Sequence, residues 1–218
     1  MQTYSLTKTE LKVILNEVLT PFLNNLGLNK YDKEYLWFSD FNKDGIKHVF
    51  KYQLLKGDTG IIVYGNCFEF MQTIGNNKVL KNHKTDKSTT LHLFELSDGW
   101  KQSLYRGQKL EDKVKQTNIE TTTLGLNQII KKYQNICQDW WANSNTIDGN
   151  IQIALEQIRI GESKINSPSP QMTLIYLYWK LGEHEKSKEQ FELQRNLYIS
   201  HDKKYEEVFK KIEYQLFK

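Results

Sequence analysis

The hydrophobic pattern of this chain changes its period near residue 120. Before that point, apolar and aromatic residues alternate with polar ones over short segments, which is typical of β-strands with one buried face. After it, apolar residues recur every three or four positions as far as Lys218, which is typical of amphipathic helices. The sequence therefore predicts an α+β fold, with a sheet domain at residues 1–120 and a helical domain at residues 121–218.

The sheet domain is predicted to begin with a helix. Thr7 and Glu10 have the spacing of a capping box, in which a hydroxyl and a carboxylate each accept from a helix-terminal amide. Apolar residues then follow at helical spacing up to Leu26, and Gly27 is expected to take the left-handed conformation that ends a helix. We expect this helix to cover the buried face of an antiparallel sheet.

Four strands are predicted before residue 97, and Trp100 suggests a fifth strand or an ordered crossing segment. Short turn-forming segments separate the first strands, so consecutive strands should form antiparallel hairpins. In the second strand Lys47 alternates with Ile46 and His48, so its side chain is predicted to lie on the face away from the core. The four strands are expected at residues 35–39, 46–55, 60–72 and 88–96.

The helical domain is predicted to contain about five short helices. The hydroxyls of Thr121, Thr122 and Thr123 offer an N-cap for the first of them. The connections are short, so neighbouring helices should pack antiparallel. The helices are expected at residues 124–143, 150–165, 171–181, 183–201 and 202–217.

Residues 174–191 resemble the middle of a tetratricopeptide repeat. Tyr178, Gly182, Ser187 and Phe191 fall where that family places an aromatic residue, a glycine, a small residue and a second aromatic residue. The resemblance implies a helical hairpin with a tight turn at the glycine and a close approach of the helices at the small residue. The first half of the repeat is missing, so the hairpin is expected to pack on the rest of the protein and not to form a repeat array.

Composition and charge give little support to several classes of protein. The net charge of +4 is spread along the chain, and a dedicated nucleic-acid-binding protein usually concentrates its basic residues on one face. Cys67 and Cys137 are too few for a disulfide framework or a structural zinc site. The first residues do not resemble a signal peptide, and no segment has the apolar length of a membrane span. A cytoplasmic protein with no membrane contact is therefore expected.

Two patterns could carry metal or acid–base chemistry. Residues 40–45 begin like a calcium-binding loop, but Lys51 stands where a bidentate carboxylate would close the shell, so a hairpin turn is preferred. His48 and His92 lie on strand faces rich in aromatic residues, and Cys67 and Glu69 share a face of the strand between them. An imidazole pair beside a thiol or carboxylate could form a small site. Hydrogen-bonded structural histidines are the preferred interpretation.

Two further features are candidates for partner binding. Residues 78–87 are the densest basic segment, and Lys81, Lys84 and Lys87 could contact phosphates or acidic side chains. Trp140 and Trp141 are adjacent on a predicted helix, so at most one can lie fully in its apolar stripe. The other could be buried at a domain junction, which is the preferred interpretation, or it could anchor a partner, because tryptophan is enriched in binding hot spots.

The chain contains no nucleotide-binding, serine-hydrolase or zinc-protease motif, and neither a cofactor nor a metal site is predicted. The order of its parts resembles a group of bacterial domains of unknown function. The resemblance rests on Leu26-Gly27-Leu28 after the first helix, the aromatic strands, and Leu181-Gly182-Glu183 in the helical tail. It implies an immunity or accessory role in toxin and defence loci.

The leading hypothesis is a non-enzymatic, cytoplasmic protein-binding module that occludes or tethers a protein partner. The first alternative is a nucleic-acid-associated factor that uses the basic loop at residues 78–87. The second is a hydrolase with a site near His48 and His92. Contact with a protein partner is favoured because no catalytic motif is present.

Overall fold

The computed structural model describes residues 5–32, 35–75, 78–97, 112–161 and 168–218. It confirms the α+β fold: an N-terminal helix is followed by an antiparallel sheet, and helices form the C-terminal part. The strand or crossing segment predicted around Trp100 lies outside the described residues. In these ranges, no helix has the length and apolar character needed to cross a membrane.

The described residues form six helices and eight strands. The helices are α1 (Lys8–Asn25), α2 (Ile119–Asn143), α3 (Ile147–Ile160), α4 (Pro170–Leu181), α5 (His184–His201) and α6 (Tyr205–Phe217). The strands are β1 (Lys30–Asp32), β2 (Leu36–Phe38), β3 (Ile46–Leu55), β4 (Thr59–Phe68), β5 (Gln72–Ile74), β6 (Leu80–Asn82), β7 (Leu93–Leu96) and β8 (Val114–Lys115).

The strands form a large sheet and a small one. The large sheet has the order β1-β2-β3-β4-β7, and β8 pairs with β4 in an antiparallel arrangement. The small sheet is the antiparallel hairpin β5–β6, in which Thr73 lies opposite Lys81. The predicted strand at residues 60–72 is thus two strands, because the chain turns between them where Met71 N donates to Phe68 O.

Internal packing divides the chain into two compact units. Unit 1 contains Met1–Asp40, His48–Gly65 and Phe94–Ala142, and unit 2 contains Phe41–Lys47, Asn66–Leu93 and Asn143–Lys218. Each unit is therefore built from several chain segments. The boundary near residue 120 was predicted to separate two domains that each fold independently. The division into packing units does not test independent folding, so this boundary stays a prediction.

Unit 1 is built around one hydrophobic core. The predicted capping box is present, because Thr7 Oγ1 accepts from Glu10 N at 3.2 Å and Glu10 Oε2 accepts from Thr7 N at 2.8 Å. Gly27 has the expected positive φ of 81° after the helix. Apolar residues of α1 and α2, such as Leu19 and Tyr133, pack together with sheet residues such as Trp37. The expectation that the first helix covers the sheet is confirmed.

The start of α2 differs from the prediction. The helix begins at Ile119, ahead of the three threonines that were expected to cap it. Asn118 provides the cap instead, because its side-chain oxygen accepts from Thr121 N at 2.8 Å. Thr122 lies inside the helix, and its hydroxyl donates back to the Asn118 carbonyl at 2.7 Å. A threonine hydroxyl can cap the start of a helix or bond to a carbonyl one turn earlier inside it. The three threonines therefore did not determine the residue at which α2 begins.

Unit 2 contains the array of short helices, in which each of α3 to α6 packs against the next. The predicted hairpin between α4 and α5 is confirmed: Gly182 ends α4 with a φ of 87°, and the buried Ser187 donates to the Ile175 carbonyl at 2.7 Å. Phe191 is fully buried against Phe209 of α6. The small residue at position 187 thus permits the close helix approach that the tetratricopeptide resemblance implies.

Candidate functional site

Unit 2 contains a cavity of about 980 Å³, which is at the upper end of the range for ligand pockets. The hairpin β5–β6 supplies one wall, and the helices supply the other. The lining residues are Gln72, Thr73, Ile74, Gly75, Val79, Lys81, Thr90, Pro168, Met172, Tyr198 and Tyr205.

One face of the β5–β6 hairpin lies against the cavity. Thr73 is directly opposite Lys81 in the register, and Gly75 N donates to Val79 O at 2.9 Å at the end of the hairpin. These four residues alternate along the two strands and therefore share one face. The side chain of Lys81 passes over Gly75, because a Cβ at that glycine would lie only 2.8 Å from the lysine Cε. This glycine leaves the space through which the lysine reaches the cavity.

The helical wall is mainly apolar and aromatic. Met172 of α4 is buried, and the rings of Tyr198 and Tyr205 meet edge to face with centroids 5.1 Å apart. Lys78 connects the hairpin to this wall, since its ammonium pairs with Asp202 and lies 4.8 Å from the ring centroid of Tyr205. The cavity thus combines an apolar surface with hydroxyl, amide and ammonium groups.

Two buried imidazoles lie next to Thr73 of the hairpin. Thr73 Oγ1 is 2.8 Å from His83 Nε2, and the ring of His83 meets that of His92 edge to face at 4.6 Å. His92 Nδ1 accepts from Phe68 N at 2.8 Å, which places the ring proton of neutral His92 on Nε2. That Nε2 is buried and has no hydrogen-bond partner among the described residues.

The surroundings keep both imidazoles uncharged. Burial lowers the pKa of His83, and the nearby charge of Lys81 lowers it further. Burial holds the pKa of His92 well below its usual range, and His83 adds to this effect. The Thr73–His83 distance is that of a nucleophile and its base. However, no carboxylate of the described chain bonds to either ring to orient it.

The predicted grouping of histidines is replaced by a different one. His92 pairs with His83, which the sequence showed only as part of the basic segment. His48 belongs to unit 1, where its ring lies 5.7 Å from that of Trp141. Because β6 is too short to show a clear alternation, no sequence signal indicated that His83 would be buried. The hydrolase alternative, as built on His48 and His92, gains no support from these contacts.

The two cysteines are poor nucleophiles. Burial raises the pKa of the Cys67 thiol to about 12, although the nearby Lys47 opposes the shift. Burial also raises the pKa of Cys137. Both thiols are therefore protonated at neutral pH, and the thiolate is the reactive form.

The prediction for Lys47 is wrong. Its side chain was expected on the open face of β3, but only 1% of it is exposed. The ammonium donates to the carbonyls of Asp86 and Ser88, both at 2.9 Å, and lies 4.1 Å from the ring centroid of Phe41. The segment at residues 85–88 folds over this face of the strand, and the buried lysine bonds to three of its carbonyls.

The predicted partner-binding lysines occupy different environments. Lys81 lines the cavity, whereas Lys84 and Lys87 are exposed and are not part of its lining. The sequence could not separate them, because all three lie within seven residues of similar composition.

The two tryptophans lie in unit 1. Trp141 is 4% exposed, and its indole N–H donates to the Gly65 carbonyl at 3.3 Å. Trp140 is half-buried and meets the ring of Tyr64 edge to face at 5.8 Å. Their role in partner binding stays a prediction. Trp141 could contact a partner only after leaving this core position.

The loop that begins like a calcium site forms a turn. Asn42 Oδ1 accepts from the amides of Asp44 and Ile46, both at 3.0 Å, and Gly45 has a φ of 76°. This geometry joins β2 and β3 as an antiparallel hairpin. The turn interpretation of residues 40–45 is confirmed.

Comparison with known proteins gives no relative for this chain: no protein-family model, curated protein or solved structure matches it. The function of the cavity is therefore inferred from the residues that line it.

The imidazole pair predicts a specific dependence of stability on pH. The folded-state pKa values of His83 and His92 lie below the unfolded value of 6.5, so the unfolded chain binds more protons in mild acid. The free energy of unfolding is therefore highest, as far as these two histidines determine it, above pH 6.5. It decreases as the pH falls below 6.5. We expect a loss of up to about 1.4 kcal/mol per pH unit for each histidine that remains neutral. Urea unfolding at pH 7.5, 6.5 and 5.5 measures this slope.

A pair of glutamine variants checks the assignment. His83→Gln removes one of the two buried imidazoles and should reduce the slope below pH 6.5. His201→Gln changes an exposed histidine in the last turn of α5 and should leave the slope as in the wild type. Equal slopes in all three proteins would contradict the assignment.

Proposed function

We propose that this chain is a protein-binding module that receives a segment of its partner in the cavity of unit 2. The observation that carries the proposal is the composition of the cavity wall. The aromatic and apolar residues Met172, Tyr198 and Tyr205 line the cavity together with the polar residues Lys81 and Thr73. Such a mixture suits a polypeptide segment, which presents both apolar side chains and polar backbone.

A binding role fits the titratable groups of unit 2 better than a catalytic one. His92 is buried and neutral, and the thiol of Cys67 is protonated at neutral pH. His83 contacts Thr73, but no carboxylate of the described residues orients its ring. Catalysis by a hydroxyl and an imidazole usually requires that third group. An immunity or accessory role and a cytoplasmic location remain part of this proposal, on the resemblance described above.

Association with nucleic acid is the second candidate, and Lys84 and Lys87 favour it because both are exposed. Phosphate contacts are roughly additive, so a basic surface would use all three lysines of the segment to a similar extent. A cavity that binds protein would depend on Lys81 alone. The three lysines therefore separate the two functions.

Charge reversal of single lysines tests the proposal. The full chain carrying Lys81→Glu, Lys84→Glu or Lys87→Glu is immobilised beside the wild type, and a lysate of the source cells is passed over each. All three side chains are exposed, so each variant should fold. We expect a partner that is retained by the wild type and by the variants at positions 84 and 87, and is lost at position 81. Quantitative mass spectrometry measures retention.

The other outcomes count against the proposal. Nuclease-sensitive retention that falls equally in the three variants would replace it with nucleic-acid association. A partner retained equally by all four proteins would show that the cavity is not the binding site.

A further inference from the structure

Some backbone N–H and C=O groups of β5 point away from its partner strand β6. Gly75 N donates to Val79 O, so these two residues form a hydrogen-bonded pair at the end of the hairpin. Hydrogen-bonded and non-hydrogen-bonded pairs alternate along antiparallel strands. Thr73 and Lys81, two positions further along the register, therefore form the next hydrogen-bonded pair. The residues on either side of Thr73 consequently direct their N–H and C=O groups towards the outer edge of β5.

The cavity lies against β5. Gln72, Thr73 and Ile74 all line it, although the side chains of consecutive strand residues point to opposite faces. The cavity therefore adjoins every residue of β5, and a strand added at its outer edge would lie next to the cavity. Among the described strands, β5 pairs with β6 alone. The outward backbone groups of Gln72 and Ile74 are thus not paired with any other described strand.

A positively charged side chain lies near the end of β5. Lys81 starts on β6, but its Cε lies over Gly75, so the side chain crosses the hairpin towards β5. Within the described part of the chain no carboxylate pairs with its ammonium, whereas Lys78 is paired with Asp202. An acidic side chain next to the strand edge would complete this pair.

An apolar surface lies on the other side of the same space. Pro168, Met172, Tyr198 and Tyr205 line the cavity from the helical side. An extended segment along β5 would direct alternate side chains into this space. It would thus need an acidic residue and an apolar residue two positions apart.

We propose that the partner segment binds as an extended strand on the outer edge of β5, with an acidic side chain against Lys81 and an apolar side chain against the helical wall. This inference rests on the proposed function and specifies how the partner is held. Backbone hydrogen bonds would supply affinity, and the two side-chain sites would supply sequence preference.

A peptide selection tests the proposal without knowledge of the partner. A phage-displayed library of random heptapeptides is selected on the full chain, and enriched sequences are synthesised. We expect a shared acidic position with an apolar residue two positions away. Binding of the synthetic peptide, measured by calorimetry, should weaken at least about tenfold with Lys81→Glu and stay unchanged with Lys84→Glu.

Methylation of single peptide nitrogens then tests strand pairing. Only alternate amides of an added strand donate to β5, so N-methylation should weaken binding at every second residue, by about tenfold or more, and be tolerated between them. The set of sensitive positions shows whether the peptide runs parallel or antiparallel to β5.

The results separate this inference from the proposed function. Binding that depends on Lys81 but shows no alternation in the N-methyl series would overturn strand addition and leave the cavity as the binding site. Failure to enrich any peptide, while the lysate partner is still lost with Lys81→Glu, would also overturn strand addition and leave the cavity as the binding site. Peptides that bind the wild type and Lys81→Glu equally would overturn both.

Discussion

Replacing Phe191 with alanine should lower the free energy of unfolding by about 3 to 5 kcal/mol, which is the usual cost of deleting a buried aromatic ring. Phe191 is fully buried, and its ring lies 5.6 Å from that of Phe209 and 5.5 Å from that of Phe217. Both neighbours belong to α6, so the variant leaves a cavity at the junction of α5 and α6. Urea unfolding followed by circular dichroism measures the loss.

Leu193 provides the matched control for this variant. It lies on the same helix, two residues further on, but is 55% exposed. Leu193→Ala should therefore change stability by no more than about 0.5 kcal/mol. Similar stabilities for the two variants would show that the α5–α6 junction is not the packed interface described above.

Local patterns in the sequence predicted a helix end correctly where the structure at that position strongly favours one type of residue. Thr7 and Glu10 specified the first helix start, and Gly182 specified the end of α4, because a left-handed residue strongly favours glycine. The burial of Ser187 and Phe191 was predicted correctly for a similar reason. Two helices can approach closely only at a small residue, and a large residue one turn further along fills the space between them.

The candidate site could be predicted only in part, because it depends on contacts between distant segments. Lys81 was identified as a binding residue, but nothing nearby in the sequence showed that it lines a cavity with Tyr198 and Tyr205. His83 was not identified, since its burial requires Thr73 and His92 on either side. Periodicity reports which face of an element is apolar, and it does not report which segments meet.

Lys47 shows how a polar residue can mislead a prediction based on periodicity. A lysine in an alternating strand normally faces solvent, since burying an ammonium costs several kcal/mol unless hydrogen bonds replace its water. Here the carbonyls of Asp86 and Ser88 replace that water, and the ring of Phe41 covers the remaining side. The acceptors are backbone groups, which the side-chain pattern of a sequence does not reveal.

Replacing Lys47 with methionine should therefore lower the free energy of unfolding by about 2 to 4 kcal/mol. Methionine fills a similar volume but donates no hydrogen bond, so carbonyls of the segment at residues 85–88 lose their partner. The same change should expose this segment locally. Hydrogen exchange is the most direct measurement, because Ser88 N donates to the Thr85 carbonyl at 2.9 Å and should be protected in the wild type.

Lys51→Met separates the role of this ammonium from a general effect of losing a lysine. Lys51 lies four residues further along β3 on the same face, but it is only half-buried, so its replacement should change stability by no more than about 0.5 kcal/mol. Protection of Ser88 should fall with Lys47→Met and persist with Lys51→Met. If Lys47→Met retains both wild-type stability and the protection of Ser88, then the fold of residues 85–88 does not depend on the lysine ammonium. In that case the order of the segment between β6 and β7 must come from other contacts.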